Sequence, residues 1–185
     1  DNHFSMPTYT NTQFLVNPEY ASFADYIPSP ALYKCPEDHA TVRRSESGGV
    51  PQIRSYAMNA FMGWSRDPAE LSPGYQVFTR SSEVEARASS DLVVFQEVHP
   101  NSICMPAFLV YMKGDEVDGF YHYPSSLHRG AAIVGFADGH VAAHRWTDAR
   151  TRRPVTEGML AHWDRSPNNA DIQWMREHST YALDS

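Results

Sequence analysis

The chain reads as an α+β domain: an antiparallel β-sheet with short helices and long loops. Three observations predict this. Thirteen Pro and ten Gly among 185 residues work against long helices, because Pro lacks the backbone donor and Gly is costly to order. Apolar residues come in short, Pro-free runs of strand length rather than helix length. Ala131 to Phe136 leads into Asp138-Gly139 and then Val141 to Arg145, the pattern of a hairpin whose turn needs positive φ.

From the N-terminus, Asp1 to Pro30 is rich in Asn, Thr, Tyr and Pro and shows little periodicity. One short helical turn is expected over Asn17 to Ala24, before Pro28 and Pro30 break the chain. Glu37 to Pro51, with Gly48-Gly49, reads as an exposed loop. Arg54 to Phe61 is the first strand of the expected sheet. Ser65 to Gly74 is a second loop. Ser81 or Ser82 is expected to cap a short helix through Ala86, with Glu85 three residues after Ser82 as a capping box requires.

Leu92 to Gln96 is a continuous apolar run without polar alternation and is expected as a central strand. Ala107 to Met112 is a further strand, and Gly114 to Gly119 an acidic loop. In the hairpin, a two-residue turn at Asp138-Gly139 would set Phe136 opposite Val141 and Val134 opposite Ala143, four side chains on one face. Ile133, His140, His144 and Trp146 would take the other. Thr151 to Pro154 is a basic turn. Asn168 or Asn169 is expected to cap a helix running to about Glu177, with Ile172 and Met175 on one face.

The length fits one domain, residues 1–185. Hydrophobic residues make up 42% of the chain, enough for a core. The formal charge is −7 and no basic run exists, so nucleic acid is not an expected partner. The longest apolar run is about seven residues, against roughly 18–20 for a membrane-spanning helix. The two cysteines, Cys35 and Cys104, allow one disulfide or two buried thiols.

Catalysis finds little support. No Gly-x-Ser-x-Gly, His-Glu-x-x-His, paired Cys-x-x-Cys or phosphate-binding Gly loop occurs, and Cys104 has no cationic neighbour in sequence to activate it. Nine histidines invite a metal reading, with His128, Asp138, His140 and His144 near one another and Glu97 and His99 elsewhere. On a strand, however, His140 and His144 stand ~13 Å apart at ~3.3 Å per residue. No enzyme activity is expected. Tyr9, Tyr20, Tyr26, Tyr33, Tyr111, Tyr121, Tyr123 and Trp64 either fill the core or form a sugar- or protein-binding surface.

His128, nine residues, then Asp138-Gly139 resembles the prepilin-type processing-associated H-x9-DG domain, the C-terminal part of pseudopilin-like, type II secretion protein G-like proteins. Four further segments resemble that family in the expected order. They are YKCPED (Tyr33 to Asp38), RSYAMNAFMGW (Arg54 to Trp64), VVFQEVHPNSI (Val93 to Ile103) and NNADIQWM (Asn168 to Met175).

The resemblance implies a pilin-like globular head on a bacterial envelope filament, extracellular or periplasmic. It would be a structural subunit whose partners are other pilin or pseudopilin subunits. Family members carry a long hydrophobic N-terminal spine helix, which is absent from these residues. A trimmed chain, a helix on another polypeptide and a soluble protein remain open. Membrane contact would come only through that helix, and without it an apolar sheet face is expected to lie uncovered. Family practice also makes calcium a possible cofactor, with Asp115, Glu116 and Asp118 as the candidate ligands. The motif residues His128, Asp138 and Gly139 are read as structural, Asp138 through bonds to the backbone of its turn, and the family's helix cysteine offers Cys35 a disulfide partner other than Cys104. The alternative is a secreted carbohydrate- or calcium-binding module without catalysis.

Overall fold

The computed structural model describes residues 6–43, 49–63, 72–85 and 89–183. Two short helices, α1 (Met6–Thr10) and α2 (Gln13–Val16), open the chain, and a 3-10 turn follows at Pro30–Tyr33. Strands β1 (Thr41–Arg43) and β2 (Gly49–Pro51) pair as a small ribbon. The main sheet holds β3 (Tyr56–Asn59), β4 (Val93–Glu97), β5 (Ala107–Phe108), β7 (Ala131–Phe136) and β8 (Val141–Arg145). The two-residue strands β6 (Gly119–Phe120) and β9 (Asp164–Arg165) pair separately. Helices α3 (Ser81–Glu85) and α4 (Ala170–Ser179) complete the fold. It is mixed α and β, rich in antiparallel pairing, with few and short helices.

The sheet order is β5-β3-β4-β7-β8. β4 is central, as its unbroken apolar run predicts. The irregularity between Val93 and Phe95 turns Val93 into the core and Phe95 toward solvent, so a run without alternation still serves a two-faced sheet. The expected strand Ala107 to Met112 is reduced to β5, which runs parallel to β3 at one edge. Beyond Phe108 the backbone turns to other partners: Leu109 N–H donates to His122 Nδ1, and Met112 N–H to Asp115.

The hairpin forms, with its register one residue from that expected. Gly135 faces Val141, Val134 faces Ala142 and Ile133 faces Ala143. The turn has three residues rather than two. Gly139 N–H donates to Phe136 C=O at 3.0 Å, and Phe136 N–H to His140 C=O at 2.9 Å. Gly139 takes the left-handed position at φ +91°, as a three-residue loop with a glycine bulge requires. A one-residue slip moves a whole strand to the other face. Val141 and Ala143 therefore join Ile133, while His144 joins Val134 and Phe136.

One face of the sheet is buried: Ala57, Asn59, Val93, Gln96, Ala132 and Val134. Ile172, Met175, Trp146, Phe61 and Phe108 belong to the same core. Asn169 caps α4, accepting from the N–H groups of Asp171 and Ile172, and Ile172 and Met175 are its buried apolar residues, as expected. Asn59 Nδ2 then ties the end of α4 to the sheet by donating to the carbonyls of Ser179 (2.7 Å) and Val93 (2.8 Å). Helix α3 is capped otherwise than predicted. Glu83, not Glu85, reaches back, and its Oε2 accepts from the N–H groups of Thr79 and Arg80. Of the expected loop Ser65 to Gly74, residues 65–71 lie outside the described ones.

Candidate functional site

The second sheet face is open. The cross-strand row Met58, Phe95, Gly135 and Val141 lies on it, together with Tyr56, Ile133 and Ala143. Phe95 is 43% exposed and Val141 67%. At the β3 side this face runs into a groove of about 400 Å³, lined among others by Phe14, Tyr20, Phe23, Tyr33 and Arg54. Arg54 is the charged residue among the described lining of that mainly apolar wall. It is buried, its Nη2 has no hydrogen-bond partner, and no carboxylate among the described residues pairs with it. Burial pushes its guanidinium below its ordinary value, opposed by Cys104 and Tyr9. An unpaired buried cation is costly.

Residues from four of the five segments singled out in the sequence meet at one polar network beside this face. Glu97, at the end of β4, is fully buried. Its Oε2 accepts the Ile133 N–H at 2.8 Å and its Oε1 lies 3.0 Å from His128 Nε2. Cys35 Sγ is 3.5 Å from the same Nε2. Cys35 N–H donates to Ser55 Oγ at 3.1 Å, and that hydroxyl donates to Asp38 Oδ2 at 2.6 Å. The thiol is pushed up to about 11, first by burial and next by its bond to Glu97. The Tyr56 phenol beside it is pushed up to about 12, first by burial and next by Glu97.

His128 is aimed by a tight turn. Arg129 and Gly130 both have positive φ, 55° and 84°, and His128 and Ala131 exchange backbone bonds across them. Two left-handed residues in succession match a two-residue hairpin turn. A non-Gly residue there is uncommon, and here it sets the imidazole against β4.

A second cluster joins Cys104, His122 and His162, all buried. Its protons can be assigned. His122 Nδ1 accepts from Leu109 N–H at 2.9 Å, so in the neutral ring Nε2 carries the proton, 3.3 Å from Cys104 Sγ. His162 Nδ1 donates to Tyr121 C=O at 2.9 Å, so its Nε2 is bare and faces Sγ at 3.6 Å. The thiol stands between a donor and an acceptor in one directional chain, which such bonds reinforce. Burial pushes it up to about 11.

The other expected residues are placed apart. Asp138 Oδ1 accepts from His140 N–H at 3.0 Å and meets His140 Nδ1 at 2.7 Å. That holds the turn whose left-handed residue is Gly139, far in role from any ligand set. His144 stacks on Trp174 at 3.7 Å. Cys35 and Cys104 are free thiols in different clusters and form no disulfide. Asp115 accepts from Ser72 and Met112, while Asp118 pairs with Arg176. With Glu116 they are absent from the converging ligand groups found among the described residues. Tyr9 and Tyr123 are core, Tyr20 and Tyr26 are exposed, and Trp64 lies outside the described residues.

No protein-family model, curated protein or solved structure matches this chain.

Sequence reading missed Cys35, His122 and His162 as members of titratable clusters. Their spacing follows no motif, because each cluster draws on three separate segments. Both cysteines proved to lie beside imidazoles, and a lone cysteine in sequence gives no sign of that.

Proposed function

We propose that this chain is the globular head of a pseudopilin-like filament subunit, a structural rather than catalytic role on the outer side of a bacterial envelope. The observation that carries this reading is the inequality of the two sheet faces. One is closed by α4 and the core, and the other leaves Met58, Phe95, Ile133 and Val141 partly or largely exposed. An apolar sheet face of that kind suits a hydrophobic helix laid along it, supplied by the same polypeptide or by a neighbouring subunit. The partners would be further pilin-like subunits.

The test is assembly. The chain is joined behind a hydrophobic helix and expressed in a host with a prepilin peptidase. Filaments are expected, and Phe95→Asp should abolish them while leaving the head folded by circular dichroism. Filaments that form equally well with Phe95→Asp and Val141→Asp, or a folded fusion that never assembles, would remove the reading.

The aromatic lining of the groove favours a second reading, a non-catalytic glycan-binding module. Retention on immobilised polysaccharide that is lost with Tyr20→Ala and Phe23→Ala would promote it.

A further inference from the structure

We propose that Cys35, Glu97 and His128 form a binding site for one divalent transition metal of the zinc type. The thiol sulfur, a carboxylate oxygen and an imidazole nitrogen lie within 4.8 Å of one another. They arrive from three distant parts of the chain: the loop after the 3-10 turn, the end of β4 and the turn before β7. A mixed S, O, N set suits zinc or cobalt and not calcium or magnesium, which take oxygen ligands.

The surroundings hold two of the three ligands as a metal site requires. Glu97 is fixed through its far oxygen by Ile133 N–H, and Cys35 through its own N–H by Ser55. Such supporting bonds orient ligands before the ion arrives. His128 is the adaptable one. No group among the described residues bonds its Nδ1, so the ring proton can sit there and leave Nε2 to the ion. Its side chain is 28% exposed, which gives an ion a path from solvent and a side on which water completes the coordination. On binding, the thiol releases its proton to solvent, and the ion takes the place of that proton and of the Glu97–His128 hydrogen bond.

The Cys104 cluster is the control that nature supplies. It too has one thiol and two imidazoles within reach. But the Leu109 N–H occupies His122 Nδ1, which obliges Nε2 to keep its proton and denies an ion that lone pair. One cluster is free to exchange protons for a metal and the other is not. This site stands independently of whether the chain enters a filament.

The experiment uses the whole chain, reduced, stripped with chelator and titrated with Co²⁺ without oxygen. A thiolate-to-cobalt charge-transfer band is expected in the near ultraviolet, saturating at one equivalent and bleached by Zn²⁺. Cys35→Ser should erase the band. His128→Gln and Glu97→Gln should weaken Co²⁺ binding by more than about tenfold. Cys104→Ser should leave band and stoichiometry intact. Circular dichroism checks that each variant is folded, and if Cys35→Ser is not, His128→Gln decides. Absence of the band in the wild type, its survival in a folded Cys35→Ser variant, full affinity in a folded His128→Gln variant, or its loss in Cys104→Ser would each overturn the proposal.

Discussion

His128 and Glu97 are 31 residues apart in sequence, yet His128 Nε2 lies 3.0 Å from Glu97 Oε1. The carboxylate is wholly buried and the imidazole partly exposed. Glu97 therefore depends on few groups for its hydrogen bonds: His128, the Ile133 N–H and the Cys35 thiol. In the presence of chelator, His128→Ala should destabilise the chain by about 1–3 kcal/mol, the cost of leaving a buried polar group short of a partner. Asp138→Ala, which removes only exposed bonds to His140, should move the urea midpoint far less. Equal shifts would show that the two ends of the His-to-Asp-Gly motif carry the same structural weight.

Arg54 makes the opposite case. Its guanidinium is buried without a counter-charge, so removing it should help the isolated head. Arg54→Met is expected to raise stability by at least about 1 kcal/mol in urea unfolding, since a side chain of similar length fills the site without an unpaired charge. A loss of stability would mean that the cation is compensated by bonds the fold hides.

The two sheet faces permit a matched comparison. Val134 lies in the core at 1% exposure, and Val141 on the neighbouring strand is 67% exposed. Val134→Thr buries a hydroxyl among apolar neighbours and should cost about 1–3 kcal/mol. Val141→Thr makes the same chemical change in solvent and should stay within about 0.5 kcal/mol. Similar costs would show that the second face is covered in solution.

What the sequence disclosed follows from the range of each interaction. The Asn169 cap and the apolar spacing of Ile172 and Met175 are local, and both are read directly. The central place of β4 agrees with its unbroken apolar run, although Phe95 within that run lies on the open face. The hairpin was legible as an Asp-Gly turn, but its register was not. Asp138-Gly139 serves a two-residue turn and a three-residue turn with a glycine bulge alike, and the choice rests on pairing further along the strands. β5 was over-read because Leu109 and Met112 lend their N–H groups to His122 and Asp115, distant or acidic side chains that no apolar pattern reveals. The Cys35, Glu97 and His128 cluster was invisible as a unit for the same reason: its members meet only after the sheet has formed.

His144 offers a test of pH dependence away from both thiol clusters. Its ring stacks on Trp174 at 3.7 Å and lies edge-on to Trp146 at 4.6 Å. Burial against these rings lowers its proton affinity. Nearby Asp171 works the other way, and His178 adds to the lowering. In the unfolded chain it titrates near its ordinary value, about 6.5. Below that pH the unfolded chain takes up a proton that the native chain resists, so stability falls as pH falls and recovers above it. Urea unfolding from pH 7.5 to 5 should therefore show a steeper loss for the wild type than for His144→Phe, which keeps a ring on Trp174 but cannot titrate. The histidines outside this stack contribute equally to both proteins, so the difference in slope reports His144 together with its coupling to His178. Parallel stability curves would mean that the imidazole binds its proton as readily against Trp174 as in the unfolded chain.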